Sequence, residues 1–407
     1  MTDSDTGPRR LIVRPRLVID GLGSNPREHA QVVVAGGRIA AVEDVPPVGG
    51  TAAGAATGDT IIDLPAATVL PGLIDCHVHY TIDPSPDVDG IAQGATDRPE
   101  RAVLIGARNA RQALFAGVTT ARSAGASRGL DIPLAAAIAR GDIEGPHLLP
   151  AGPAITITGG HGRDFGIEVD SVADMVRAVR RLAADGAMVV KLVASEAAML
   201  TSNIAGVQEL TSAEMSAMVG EARRLRRRVL AHAQSSAAVI AAAQAGVDSV
   251  EHAFLADAKA LHQLRDSGAV LTPTLTVTDV YSRLQGLPAE AVRRQAELSV
   301  LHRASCERAI KLGIPLVAGT DCGVRGIFPA MLAREVELLH EHGLAPMEAI
   351  RAATVSAARL LGIDHETGAL AAGLRADVLA VDGDPVTDLR CLARPVLVMR
   401  AGEIVRR

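Results

Sequence analysis

Tryptophan is absent from this chain of 407 residues, which has only two tyrosines and four phenylalanines. Apolar residues still make up 48% of it, so alanine, valine and leucine must fill the interior, and the length allows a large core. Cysteine is scarce too. Cys76, Cys306, Cys322 and Cys391 are scattered, with no CxxC pair and no disulfide-like spacing. No apolar run is long enough to span a bilayer, and the opening MTDSDTGPRR lacks the apolar stretch of a secretory signal. These absences lead us to expect a soluble protein in the cytoplasm with no membrane partner. A large excess of charge of one sign is also missing: the formal net charge of −5 gives no reason to expect nucleic acid. The one basic run, EARRLRRRV at 221–229, has no interleaved aromatics and reads as the solvated face of a helix.

Short β-type runs with turns are present at both ends: RLIVRPRLVID, AQVVVAGGRIAAV and TIIDLPAATVL near the start, ADVLAVDGDP and PVLVMRAGEIV near the finish. We expect residues 1–66 and 367–407 to build one small β-sandwich domain, with the Gly- and Ala-rich stretch 48–59 as a flexible loop in it. Between them, apolar runs alternate with Ala-rich amphipathic segments. Candidate strands are 73–79, 118–123, 147–152, 188–194, 228–233, 249–254, 269–275 and 314–321. Thr211 and Glu214 form a capping box before one of the intervening helices. Eight such alternations predict a (β/α)8 TIM barrel over 67–366, and the lack of a GxGxxG turn disfavours a doubly wound sheet.

Polar residues interrupt these runs near the strand ends, where barrel chemistry sits. In PGLIDCHVHY, alternation puts His77 and His79 on one face and turns Cys76 away. Lys191 lies in the fourth run, His232 in the fifth, His252 in the sixth and Asp321 at the end of the eighth. Each has a bland reading: a rim histidine, a snorkelling lysine, a helix-capping aspartate. All would have to hold together, because burying such groups without compensation costs several kcal/mol each, roughly. Imidazoles and carboxylates gathered at one mouth suit a metal site.

The ordered set GLIDCHVH, VVKLVA, LAHA, VEHA and AGTDCG, with TGGHG and ADVLAVDGDP, resembles the amidohydrolase superfamily, in the imidazolonepropionase-related branch with Xaa-Pro dipeptidases. The resemblance covers nearly the whole chain. It implies two divalent metal ions, usually zinc. His77, His79 and Asp321 would hold one ion and His232 and His252 the other. Lys191 would be N6-carboxylated and bridge them. It further implies attack by a metal-bridging hydroxide on an amide-type C–N bond of a small molecule, with Asp321 as catalytic base and then acid and His161 at the substrate. Candidate substrates are an Xaa-Pro-like dipeptide, an N-acyl amino acid, or an aryl amide, carbamate or urea. Opening of an imidazolone-like ring is the alternative, and a non-catalytic scaffold is disfavoured because all six ligand positions are filled.

The chain departs from the dipeptidase pattern in three places. Thr278 stands where such relatives often carry a carboxylate-binding tyrosine, with Tyr281 one helical turn later as a possible substitute. Ser123 replaces a common aspartate, and ASEAAMLTSN follows the lysine instead of a Gly-rich turn. Arg122 remains as a candidate for an anionic substrate group, with a structural ion pair as its other reading. The Ala-rich helical exterior suggests a homo-oligomer.

Overall fold

A computed structural model describes residues 10–23, 25–45, 58–86, 98–197, 206–285 and 289–407. Most of the stretch 48–59 read above as a loop, residues 48–57, lies outside them. The fold is mixed α/β with parallel sheets. Strands from the two ends of the chain share one sheet of eight, in which Thr60–Pro71 runs parallel to Leu11–Val18 and antiparallel to Val378–Asp382. Val13, Ile62, Val69, Val378 and Met399 pack together on that sheet. Among the described residues, no helix is long and apolar enough to cross a membrane.

The central part holds two parallel sheets. Leu73–Val78, Val118–Ser123 and His147–Leu149 make one. The other follows the spatial order Gly166–Glu168, Ala154–Thr156, Val189–Val193, Arg228–Ser235, Ser249–Leu255, Val270–Thr272. Leu73–Val78, Val118–Ser123 and Val189–Val193 are buried at every position, as expected of parallel strands covered on both faces, and the polar residues they carry, among them Asp75, His77, Arg122 and Lys191, are buried with them. Helices Pro99–Phe115, Asp131–Arg140, Val172–Asp185, Ser212–Arg224, Ser236–Ala245 and Ala258–Ser267 alternate with them. Ser212–Arg224 opens on the expected capping box: Glu214 N–H donates to Thr211 Oγ1 at 3.3 Å and Thr211 N–H to Glu214 Oε2 at 2.7 Å.

The last expected strand, 314–321, forms no regular strand. It hydrogen-bonds to both sheets instead. Val317 N–H donates to Leu271 O at 3.0 Å, while Cys76 N–H donates to Ala318 O at 3.0 Å and Asp321 N–H to His77 O at 2.9 Å. Two features explain the irregularity. Gly319 lies so close to the first strand that a Cβ there would sit 2.9 Å from the His77 Cβ. Asp321 then turns left-handed at φ 60°. The buried Asp75 carboxylate clamps the junction, accepting from Thr320 N at 3.0 Å, Thr320 Oγ1 at 2.6 Å and His77 N at 3.1 Å.

After Val270–Thr272 the chain turns at Thr274, φ 56°, into the short helix Leu275–Tyr281. The first donors of that helix have no partner within it. Glu335, fully buried on helix Leu332–Glu341, supplies one: it accepts from Leu275 N at 3.0 Å and from Thr276 N and Oγ1, each at 2.7 Å. Replacing Glu335 by alanine orphans two buried N–H groups, at about 1–3 kcal/mol each. Glu335→Ala is therefore expected to lower the unfolding free energy in urea by about 2–6 kcal/mol, and a loss under about 0.5 kcal/mol would reject this capping role.

Candidate metal centre

The parallel strands end around a cavity of about 60 Å³ lined by His77, His79, His161, Lys191, His232, His252 and Asp321, with apolar walls. All but His161 are buried, and His161 is half-buried. Strand alternation delivers His77 and His79 to one face, as the sequence predicts. His252 and Asp321 arrive differently, on left-handed backbone at φ 76° and 60°. Such backbone is uncommon for residues other than glycine and clusters at functional sites.

Three atoms meet most closely. Asp321 Oδ1 lies 3.4 Å from His77 Nε2 and 3.3 Å from His79 Nε2, and ligand atoms from the three residues fall within 4.8 Å of one another. The outer nitrogens of three imidazoles are each anchored. His77 Nδ1–H donates to Glu251 Oε2 at 2.7 Å, and His79 Nδ1–H to Gly125 O at 2.8 Å. Thr274 gives its hydroxyl proton to Pro273 O at 2.6 Å, so its oxygen accepts from His252 Nδ1–H at 2.8 Å. Each tautomer is thereby fixed with the lone pair on Nε2, the orientation that metal-binding histidines require.

The second half of the cluster is held by ring contacts. His232 stands 4.5 Å from His252 and 4.6 Å from His161, centroid to centroid. The His232 Nε2 is buried with no hydrogen-bond partner, and an orphaned buried nitrogen of this kind fits a ligand to an ion. Burial, followed by neighbouring cationic forms, holds the His77 and His232 imidazoles well below their ordinary range. Burial likewise takes His252 to about 3 and His161 to about 4. For Asp321, burial works to raise the pKa, but His77, His79 and His252 outweigh it and hold the carboxyl below its usual range. Neutral imidazoles and an ionised carboxylate are what a divalent ion binds, so the donor set fits one.

Lys191 is buried to 2% exposure on Val189–Val193. Among the described residues no ion pair holds it. Burial pushes its amine down to about 8, against the pull of Glu251 and Asp321. Roughly a tenth is then free amine at pH 7, the form that reacts with CO2. The choice of residue is informative: the chain has only Lys191, Lys259 and Lys311 as lysines and uses arginine elsewhere. An arginine at this position stays charged and could not become a ligand.

Two residues expected at the substrate lie elsewhere. The Arg122 guanidinium does not line the cavity. It donates to Cys76 O at 2.6 Å, Ser249 Oγ at 2.9 Å, and Glu251 Oε1 and Oε2 at 2.9 and 3.0 Å. Tyr281 is buried but also lies off the cavity wall, because helix Leu275–Tyr281 presents Val277 there instead. Thr278 faces another way, pairing with His302 Nδ1 at 3.0 Å. The sequence reading missed Glu251, which holds His77 and neutralises Arg122. It could have been found by the criterion used for the others, a charged residue inside an apolar run, SVEHAF. Gln234, Phe165 and Phe254 also line the cavity and carried no sequence signal.

Residues 68–405 match the profile of the amidohydrolase family. The chain belongs to that family. It is 30% identical over 358 residues to ochratoxinase of Aspergillus niger, spanning 81% of this chain and 73% of that one. Among solved structures, a Xaa-Pro dipeptidase with methionine bound in its active site superposes with a TM-score of 0.88 at 26% identity, over 98% of this chain and 100% of the other. A prolidase complexed with N-methylphosphonate-L-proline gives 0.87 at 28%, over 98% and 100%. Amidohydrolases hydrolyse C–N bonds, and this chain is a hydrolase of that family.

Glu251 orients a ligand and neutralises a buried guanidinium at once. Glu251→Gln is expected to destabilise the fold by about 3–5 kcal/mol in denaturant unfolding and to weaken metal affinity about 10- to 100-fold in competition with a chelating dye. Unchanged metal affinity would show that His77 keeps its orientation without the carboxylate.

Proposed function

We propose that this protein is a binuclear metal-dependent hydrolase that cleaves an amide-type C–N bond of a small molecule. In this reading the two parallel sheets and the segment 314–321 close into a (β/α)8 barrel over 67–366, with residues 1–66 and 367–407 as a β-sandwich beside it. The observation that carries it is the convergence of six buried donor residues, His77, His79, Lys191, His232, His252 and Asp321, on one cavity. His77, His79 and Asp321 would hold one ion, His232 and His252 the other, and a carboxylated Lys191 would bridge them as an anionic two-oxygen ligand. Zinc suits imidazole and carboxylate donors. When bound, the ions supply Lewis acidity and a water acidic enough to attack at neutral pH.

The remaining steps fall to the chain. Asp321 directs Oδ1 toward His77 and His79, which leaves Oδ2 to take the proton from the attacking water and deliver it to the leaving nitrogen. One carboxylate thus serves as base and then acid. His161, beside His232 at the cavity wall, would donate a ring N–H to the carbonyl oxygen as negative charge grows on it. Its backbone N–H donates to Glu209 Oε1 at 2.8 Å, which fixes its loop.

The test combines metal analysis with turnover. Wild-type protein is expected to carry two equivalents of metal and to release amine from members of an amide, carbamate and urea panel. Asp321→Asn should lower kcat by at least about 10³-fold while keeping a native circular dichroism spectrum. Lys191→Ala should lose metal as well as activity, and ¹³C-bicarbonate should give a carbamate resonance in the wild type alone. Full activity in either variant would refute the mechanism.

A further inference from the structure

Resting on that reading, we propose that the site takes substrates with no charge beside the scissile bond, such as aryl or alkyl amides, carbamates and ureas, and selects against a free carboxylate there. Beyond the six donor residues, the cavity wall is formed chiefly by Ile82, Phe165, Val193, Phe254, Val277 and Val324. The polar groups added to these, His161 and Gln234, bring no fixed positive charge. A carboxylate entering the pocket sheds its water and needs a cation or several donors in return.

Among the described residues no arginine lines the cavity, and those adjacent to its lining hydrogen-bond to other groups. Arg122 is buried beneath it and bound on both nitrogens of its fork to Glu251 and Ser249. Arg325, next to Val324, donates to Pro86 O at 2.5 Å, and Arg163, two residues from His161, to Gly159 O at 3.3 Å. Arg283, after the helix that carries Val277, pairs with Asp279 at 2.5 Å. The internal stretches outside the described residues add none, because 46–57, 87–97, 198–205 and 286–288 contain no arginine or lysine.

The ionisable group behind the substrate-facing histidine is itself acidic. Glu209 accepts the His161 N–H through one oxygen, and its other oxygen is buried with no hydrogen-bond partner. Away from the six donor residues, an incoming carboxylate would therefore meet apolar walls, with the Glu209 carboxyl behind His161, whereas an aryl or alkyl group meets surface that it can cover.

Hydrolysis-resistant phosphonates separate this inference from the reading beneath it. The probes are N-methylphosphonates of L-proline and of L-phenylalanine, each as the free acid and as the carboxamide, titrated calorimetrically into zinc-loaded protein. Each pair shares the phosphonyl group and differs in charge at one position. The carboxamides are expected to bind at least about tenfold more tightly than the acids, a difference of about 1.4 kcal/mol. Acids binding as tightly or more tightly would overturn the inference and leave the hydrolase reading standing. Failure of all four to bind would overturn both.

Discussion

A single buried carboxylate holds this site together. Glu251 is fully buried, fixes His77 through Nδ1, and accepts from Arg122 and Ser249. Through these bonds it joins three strands, Leu73–Val78, Val118–Ser123 and Ser249–Leu255, from two different sheets. A lone carboxylate at this depth would be prohibitive, and so would a lone guanidinium. Each makes the other tolerable, and both hydrogen-bond further groups, as a buried pair must. The histidine that depends on them is turned the right way as a consequence. Stability and site geometry are thus one problem here, solved by the same atoms.

Above that layer the constraint changes from charge pairing to aim. Three imidazoles have one nitrogen occupied, by Glu251, Gly125 O and Thr274 Oγ1, so their free lone pairs all face the cavity. Thr274 does this from a left-handed turn, and Glu335, 61 positions further along the chain, grips the two residues that follow it. The far helix therefore bears on the tautomer of His252 without touching it. Strained backbone at His252, Ala253, Thr274 and Asp321 is affordable only where such contacts over-determine it.

Much of this was legible in the sequence, for reasons that can be stated. His77 and His79 share a face because strands have a period of two, which requires no tertiary information. Thr211 and Glu214 cap a helix because the motif is local. Lys191, His232 and His252 stood out because each interrupts an apolar run. The illegible parts depend on contacts between distant segments. Nothing in IPLVAGTD says that Gly319 must let His77 come close, or that an aspartate will adopt φ 60° where a regular strand was expected. Arg122 reads alike as substrate contact or ion-pair partner until Glu251 is found beneath it. Tyr281 is one helical turn from Thr278, yet the helix shows the cavity Val277, a rotation that spacing alone does not fix.

Those misplaced residues carry the argument about specificity. A site that binds an anion must bring a cation or a set of donors to a defined point, and such groups are costly to bury unless they are used. Here the Arg122 guanidinium is spent on architecture, and helix Leu275–Tyr281 offers the cavity the isopropyl group of Val277 rather than its phenol. Neither change touches the six donor residues, so the capacity for hydrolysis and the choice of substrate are separable in this fold. The donor residues rest on strand ends held by Glu251 and Asp75, whereas most of the cavity wall is apolar side chains that take no part in those hydrogen bonds. A family built this way can change what it cleaves by altering the wall while the chemistry at the strand ends stays fixed.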